Sequence, residues 1–178
     1  IESGKTEMEI KKVALISFTE EVIKELEPLL KQKELKTEII TKEKELPEVD
    51  YDASMLRQIV TNLLSNSIRY TNDKGTIQVI IEKTPGSVVY SVKDDGIGIP
   101  ENQRSKIFGK FFRAENAVSK VPDGSGLGLS LVKSLVELNK GTIWFETPAN
   151  WVDKAGKEVK KGTVFHFTIP LSAEQNKK

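Results

Sequence analysis

Residues 52–71 read DASMLRQIVTNLLSNSIRYT, and this stretch constrains the fold more than any other. Leu56, Ile59, Val60, Leu63, Leu64 and Ile68 recur at the 3.6-residue period of an α-helix, with Asp52 placed to cap its start. A one-sided apolar stripe must be covered by another layer. The segments that follow supply one: TIQVIIEK (76–83) and SVVYSVK (87–93) alternate with period two and are joined by a turn at Pro85-Gly86. A second stripe, Phe18, Val22, Ile23, Leu26, Leu29 and Leu30, predicts an earlier helix, with Ser17 and Glu20 as its capping box. A third helix is expected over about 127–139, and further strands at 36–42, 142–147 and 163–169. The polar NWVDKAGKEVKKG between the last two strands reads as a long hairpin loop. The pattern predicts an α/β (α+β) fold: a two-layer sandwich, its mixed, mostly antiparallel sheet carrying three helices on one face.

At 178 residues and 38% hydrophobic content the chain is sized for one core, with room for a short flank. The 27 basic and 26 acidic residues leave a net charge of +1, which argues against a nucleic-acid partner. No cysteine is present, so disulfides and thiolate chemistry are excluded. No apolar run approaches the roughly 20 residues of a membrane span, and a soluble, cytoplasmic domain is expected.

Four stretches carry chemistry. In PDGSGLGLS (122–130), Gly124, Gly126 and Gly128 open the third helix. Leu129 breaks the dinucleotide GxGxxG pattern, and the Gly-Lys-Ser/Thr ending of a P-loop is missing. A phosphate-holding helix entry and a merely flexible one both remain. DDGIGIP (94–100) follows a strand. An aspartate accepts hydrogen bonds only, which suits an exocyclic amine such as adenine's; a tight turn with a solvated acid is the alternative. On the helix at 52–71, Asn62, Asn66 and Arg69 fall within roughly 60° of one another, with Tyr70 at the border. Two carboxamides four residues apart can aim oxygens at a hard cation, although polar stripes usually face solvent. IFGKFFR (107–113) sets apolar anchors within a long polar loop, as a lid does.

In this order, the four stretches resemble the N, G1, F and G2 boxes of the ATP-binding catalytic domain of bacterial sensor histidine kinases, in the GHKL superfamily. The resemblance covers about residues 50–170 and implies ATP and Mg²⁺ as cofactors. It implies that Asn66, with Asn62 helping, holds Mg²⁺, that Arg69 contacts phosphate and that Tyr70 packs on the nucleoside. Asp94 would read the adenine amine, and Gly96, Gly98 and Ile99 would admit the base. Residues 100–125 would form a mobile lid bearing Lys110, Phe111 and Arg113, the last approaching the γ-phosphate. Gly124, Gly126 and Gly128 would let backbone N–H groups at the third helix's start hold phosphates, with Ser125, Leu127 and Leu129 beside them in the cofactor site, and Thr163 would stand beside Asp94. Asn66, Arg69 and Arg113 are the catalytic candidates. ATP-hydrolysing relatives carry a glutamate where this chain has Asn62; an amide takes no proton at neutral pH, so the resemblance implies transfer of the γ-phosphoryl to a protein. Two departures from the family are the longer 148–161 segment and Asn139-Lys140-Gly141.

The resemblance also implies that the acceptor histidine lies on a separate dimerisation domain, with a response regulator downstream and a homodimeric parent, membrane-anchored or not. His166, the one histidine, alternates with Phe165 and Phe167 and reads as a surface strand residue. Residues 1–12 resemble the exit from a dimerisation helix, 13–172 the catalytic domain and 173–178 a tail. Two alternatives are a GHKL module acting as a conformational ATPase and one acting as a non-catalytic regulator.

Overall fold

In the computed structural model, residues 8–152 and 156–172 are described. A short antiparallel pair, β1 (Ile10–Val13) with β3 (Val49–Asp52), stands beside a five-stranded sheet. The sheet comprises β2 (Lys36–Thr41), β4 (Thr76–Thr84), β5 (Ser87–Asp94), β6 (Ile143–Glu146) and β9 (Thr163–Pro170), in the order β2-β4-β5-β9-β6. Only β2 and β4 run parallel. The mixed, mostly antiparallel sheet and its helical layer match the expected sandwich.

Helices α1 (Leu15–Glu25), α3 (Ala53–Tyr70) and α5 (Gly128–Leu138) share a core with one face of the sheet. Strand alternation sends Ile77, Val79 and Ile81 of β4, Val88, Tyr90 and Val92 of β5, and Phe165, Phe167 and Ile169 of β9 into that layer, where all are buried. They meet the stripe of α3 read from the sequence, each member of which is buried. The Tyr90 hydroxyl, also inside, is satisfied by Thr19 of α1 at 2.8 Å.

Asp52 caps α3 as expected: its carboxylate accepts from the backbone N–H groups of Ser54 (2.9 Å) and Met55 (3.1 Å). It also accepts from the N–H of Glu9 at 2.9 Å, so it ties the entering chain to the helix start. Replacing it, Asp52→Ala, is expected to cost ~1–2 kcal/mol, read as a lower urea midpoint with an unchanged slope.

Other expectations are corrected. α1 begins at Leu15, two residues before the proposed Ser17–Glu20 box; its N-cap is Ala14, without a side-chain cap. Burial of Leu15 pulls that residue into the helix, and Ser17 Oγ donates to the Ala14 carbonyl instead. The stripe through Leu30 belongs to two helices, since the chain breaks at Leu26 and α2 (Glu27–Gln32) restarts with Pro28 in its first turn. Within the expected hairpin loop, β7 (Ala149–Val152) pairs with β8 (Glu158–Lys161). Residues 10–12 of the expected helix exit lie, with Val13, in β1; residues 1–7 of that stretch and the tail at 173–178 lie outside the described residues. His166 is half-buried on the sheet's other face, stacked on Trp144 at 4.9 Å and bonded through Nδ1 to Ser91 Oγ at 2.7 Å. Burial holds its imidazole below the usual range.

Candidate functional site

Asp94 ends β5 directly opposite Thr163, the first residue of β9, and both are buried. Above them lies the C-terminal half of α3. The Asp94 carboxylate accepts from the Gly96 N–H (3.0 Å) and from Ser67 Oγ of α3 (3.2 Å), and the nearby Thr163 N–H also favours its charged form. Burial outweighs these donors and drives its carboxyl up to about 6.

A cavity of about 270 Å³ opens over this group. α3 contributes Asn62, Ser65, Asn66, Ser67, Arg69 and Tyr70. The loop after β5 contributes Ile97, Gly98 and Ile99, and the entry to α5 contributes Gly124, Ser125, Gly126, Gly128 and Leu129. The three separated sequence stretches therefore meet, with a buried acceptor beside the C-terminal end of α3 and the α5 N-terminus facing Asn62 further back along that helix.

The lid is built from tertiary bonds. A 3-10 turn (Glu101–Lys106) is followed by α4 (Glu115–Lys120). Gln103 Oε1 accepts the Glu115 N–H (2.9 Å), and Asn116 Nδ2 donates to the Gly98 carbonyl (3.0 Å). Lys120 Nζ reaches across to the Tyr70 carbonyl (3.1 Å) and Asn72 Oδ1 (2.5 Å) at the end of α3. The Phe111 N–H donates to the Gly126 carbonyl at 3.0 Å, zipping the lid to the glycine turn.

Several proposed residues stand elsewhere. Gly96, Lys110, Phe111 and Leu127 do not line the cavity. Gly96 is small for another reason: a Cβ there would lie 2.5 Å from the Tyr70 carbonyl, so it lets the loop pack on the end of α3. Phe111 and Leu127 are exposed. Arg113 lines the cavity with its guanidinium against Gly124, where it donates to the lid's own carbonyls, Pro122 (2.5 Å) and Val121. Conversely, Ser67, Asn116 and Phe165 line the cavity without having been proposed for the site, and Phe112, expected only as a lid anchor, lines it too. Ser67 was hidden on the apolar face of α3. Asn116 sits in a segment without periodicity.

The donor set also bears on a metal. Asn62 Nδ2 donates to the Gln58 carbonyl at 2.8 Å, and its Oδ1 faces Gly128. Asn66 offers one carboxamide to the cavity. Among the described residues no group of three or more His, Cys, Asp or Glu gathers to hold a metal. Neutral oxygens of this kind fit Mg²⁺ only when water and phosphate oxygens complete the shell.

A sheet-end cavity with a buried aspartate, a polar helix stripe and a glycine turn under a lid defines an ATP-binding domain of the GHKL type. The chain belongs to the histidine kinase-, DNA gyrase B- and HSP90-like ATPase family, whose model matches residues 51–173. It is 36% identical over 152 residues to the adaptive-response sensory kinase SasA of Gloeothece citriformis, covering 85% of this chain and 35% of that protein. It is 32% identical over 129 residues to the sensor histidine kinase WalK of Bacillus subtilis, covering 71% and 20%. Its fold overlays the catalytic domain of the histidine kinase ThkA with a TM-score of 0.76 at 29% identity, over 94% of this chain and 99% of that one. The chain thus spans about a third of the SasA relative but the whole of an isolated catalytic domain.

Proposed function

We propose that the domain binds Mg-ATP in this cavity and delivers the γ-phosphoryl to a histidine on a separate dimerisation domain, from which a response regulator is served. The carrying observation is the lining itself. Asp94 is the one carboxylate among the cavity residues, and it sits at the base end, held by Ser67 and Gly96. Asn62, against the α5 entry at Gly128, and Asn66 and Arg69 on the same helix would orient and neutralise phosphate but take no proton from water. That arrangement suits an acceptor that brings its own nucleophile.

In this reading Asp94 accepts from the adenine amine, Tyr70 packs on the nucleoside, and the N-terminus of α5 with Arg69 holds the phosphates. Asn66 would hold Mg²⁺, which supplies charge neutralisation across the phosphates. An imidazole nitrogen then bonds to the γ-phosphorus in line as the bond to the β-γ bridging oxygen breaks, and ADP leaves with that electron pair. Arg113 must first leave the Val121 and Pro122 carbonyls to reach the γ-phosphate. ThkA, a structural neighbour, has been seen in complex with its response regulator TrrA, which supports the downstream partner. No helix among the described residues is long and apolar enough to cross a membrane, which is compatible with a cytoplasmic domain.

The test pairs calorimetry with transfer. ATP should bind this domain more tightly with Mg²⁺ than without. With the matched dimerisation domain added, acid-labile phosphohistidine should form there. Rapid Mg-ATP hydrolysis by the isolated domain, with no phosphohistidine, would replace this reading with a conformational ATPase.

A further inference from the structure

The loop after β5 is a thin partition. On one face lies the cavity over Asp94; on the other lies a shallow cleft of about 370 Å³, bounded by residues 96–100 and by Thr147, Pro148, Lys161 and Gly162. A wall with open space on both sides needs ties to keep one shape. Asn116 of the lid and Arg104 of the 3-10 turn hold the carbonyls of Gly98 (3.0 Å) and Ile99 (3.4 Å). The Ile97 N–H donates to the Tyr70 carbonyl at 3.3 Å, and a further tie comes from behind. Thr147 Oγ1 accepts the Ile99 N–H at 3.2 Å and donates to the Gly162 carbonyl at 2.9 Å. Thr147 is buried, and a Cβ on Gly98 would stand 3.2 Å from its hydroxyl.

Thr147 lies where β6 hands over to the β7–β8 hairpin, and Gly162 lies where β8 hands back to β9. One hydroxyl therefore joins both feet of the hairpin to the base-side loop. The hairpin is itself docked. Trp151 is buried against Ala149 and Val164, with Lys93 Nζ 4.2 Å from the centre of its ring. Lys161 pairs with Asp95 at 2.8 Å, and Asp95 in turn accepts the Thr76 N–H at 2.8 Å. Lys93 and Asp95 are the two chain neighbours of Asp94. The segment that departs from the family's short turn is thus a buttress set against the back of the site.

We infer that Thr147 is a positioning residue for the base-side loop, and that through it the β7–β8 hairpin sets how strictly the site selects an amino-purine. This rests on the reading of Asp94 and residues 96–99 as the base site. Removing the hydroxyl frees the Ile99 N–H and lets the loop relax into the cleft. The base contact loosens, while the α5 entry, set against Asn62, stays in place.

The test uses the isoelectronic-shape variant Thr147→Val and the conservative Thr147→Ser, with ADP and inosine diphosphate titrated by calorimetry in the presence of Mg²⁺. Thr147→Val should bind ADP about tenfold more weakly, and inosine diphosphate within about twofold of wild type, so base preference shrinks. Thr147→Ser should return both values to within about twofold of wild type. Amide hydrogen exchange at Ile99 should be slow in the ligand-free wild type and fast in Thr147→Val, with Val92 in the core unchanged. Parallel weakening of both nucleotides, failure of serine to rescue, or a fast-exchanging Ile99 in the wild type overturns the inference, the last of these even if Thr147→Val does not fold. If Asp94→Asn binds ADP as wild type does, the base site itself is misassigned and the inference falls with it. If Asp94→Asn loses ADP while Thr147→Val keeps both affinity and preference, the inference alone is wrong.

Discussion

Asp94→Asn is expected to weaken ATP binding by about 30- to 100-fold and yet make the ligand-free protein more stable. Both effects come from one buried carboxylate. In the complex its charge accepts the adenine amine; an asparagine turned to keep the Gly96 bond (3.0 Å) points its own N–H groups at that amine. Without ligand the same charge is a burden. Burial raises the carboxyl from 3.8 to about 6, so the fold favours the neutral form. A group raised in this way contributes stability that is fully present below 3.8 and lost as pH rises through about 6. At pH 8 the native state carries the full penalty, ~3 kcal/mol for a difference of this size. The neutral amide removes it. Urea unfolding should show Asp94→Asn more stable than wild type by ~2–3 kcal/mol at pH 8, with the gap closing near pH 4. ATP affinity of the wild type should also fall as pH drops below about 6. The part of that fall that disappears in Asp94→Asn belongs to Asp94, and the remainder to the phosphates. An unchanged ATP affinity in Asp94→Asn would remove Asp94 from the base site.

What the sequence discloses follows from how local each interaction is. α3 is legible because its cap and its apolar stripe are both encoded within the helix, Asp52 bonding Ser54 and Met55 and the stripe running from Leu56 to Ile68. β4, β5 and β9 alternate because one face meets the helices. β1 and β3 are invisible: IKKV and VDYD are too short to alternate convincingly, and their stability lies in pairing with each other across the intervening helices. The lid hides for the same reason. Its order comes from Gln103, Asn116 and Lys120 bonding backbone or side chains that are distant in sequence, and such bonds leave no periodicity. Asn62, Asn66, Arg69 and Asp94 become readable as chemistry only when the four stretches are taken together in order, since a polar helix stripe or a strand-end acid alone commonly faces solvent. Ser67 does not, because a serine beside Ile68 looks like tolerated filler until Asp94 is found 3.2 Å from it. Arg113 shows the converse limit, since residue type predicts what a side chain can bind but not which carbonyls hold it in the absence of ligand.

Gly162→Ala is expected to destabilise the protein by ~3–5 kcal/mol, with Gly86→Ala as the comparison that explains why. Both glycines lie in the left-handed region, at φ +67 and φ +82 respectively. Backbone strain on adding a methyl is therefore similar, ~1–2 kcal/mol. Their surroundings differ completely. Nothing lies within 4 Å of a Cβ on Gly86, at the tip of the β4–β5 turn. A Cβ on Gly162 would fall 1.9 Å from the Asp94 carbonyl oxygen and 2.8 Å from the Asp95 Cα, both parts of a backbone that cannot swing aside as a side chain would. Relief requires β9 to separate from the end of β5, where Thr163 pairs with Asp94. That movement carries the Thr163 N–H away from the Asp94 carboxylate and shifts the Gly162 carbonyl that Thr147 holds. Gly86→Ala should thus lower stability by ~1 kcal/mol and leave ADP binding at the wild-type value. Gly162→Ala should lower it several times as much, and any fraction that folds at low temperature should bind ADP at least tenfold more weakly, by loss of the Asp94 contact. Equal destabilisation of the two variants would mean that the strands separate at little cost, and that β9 does not fix the position of Asp94.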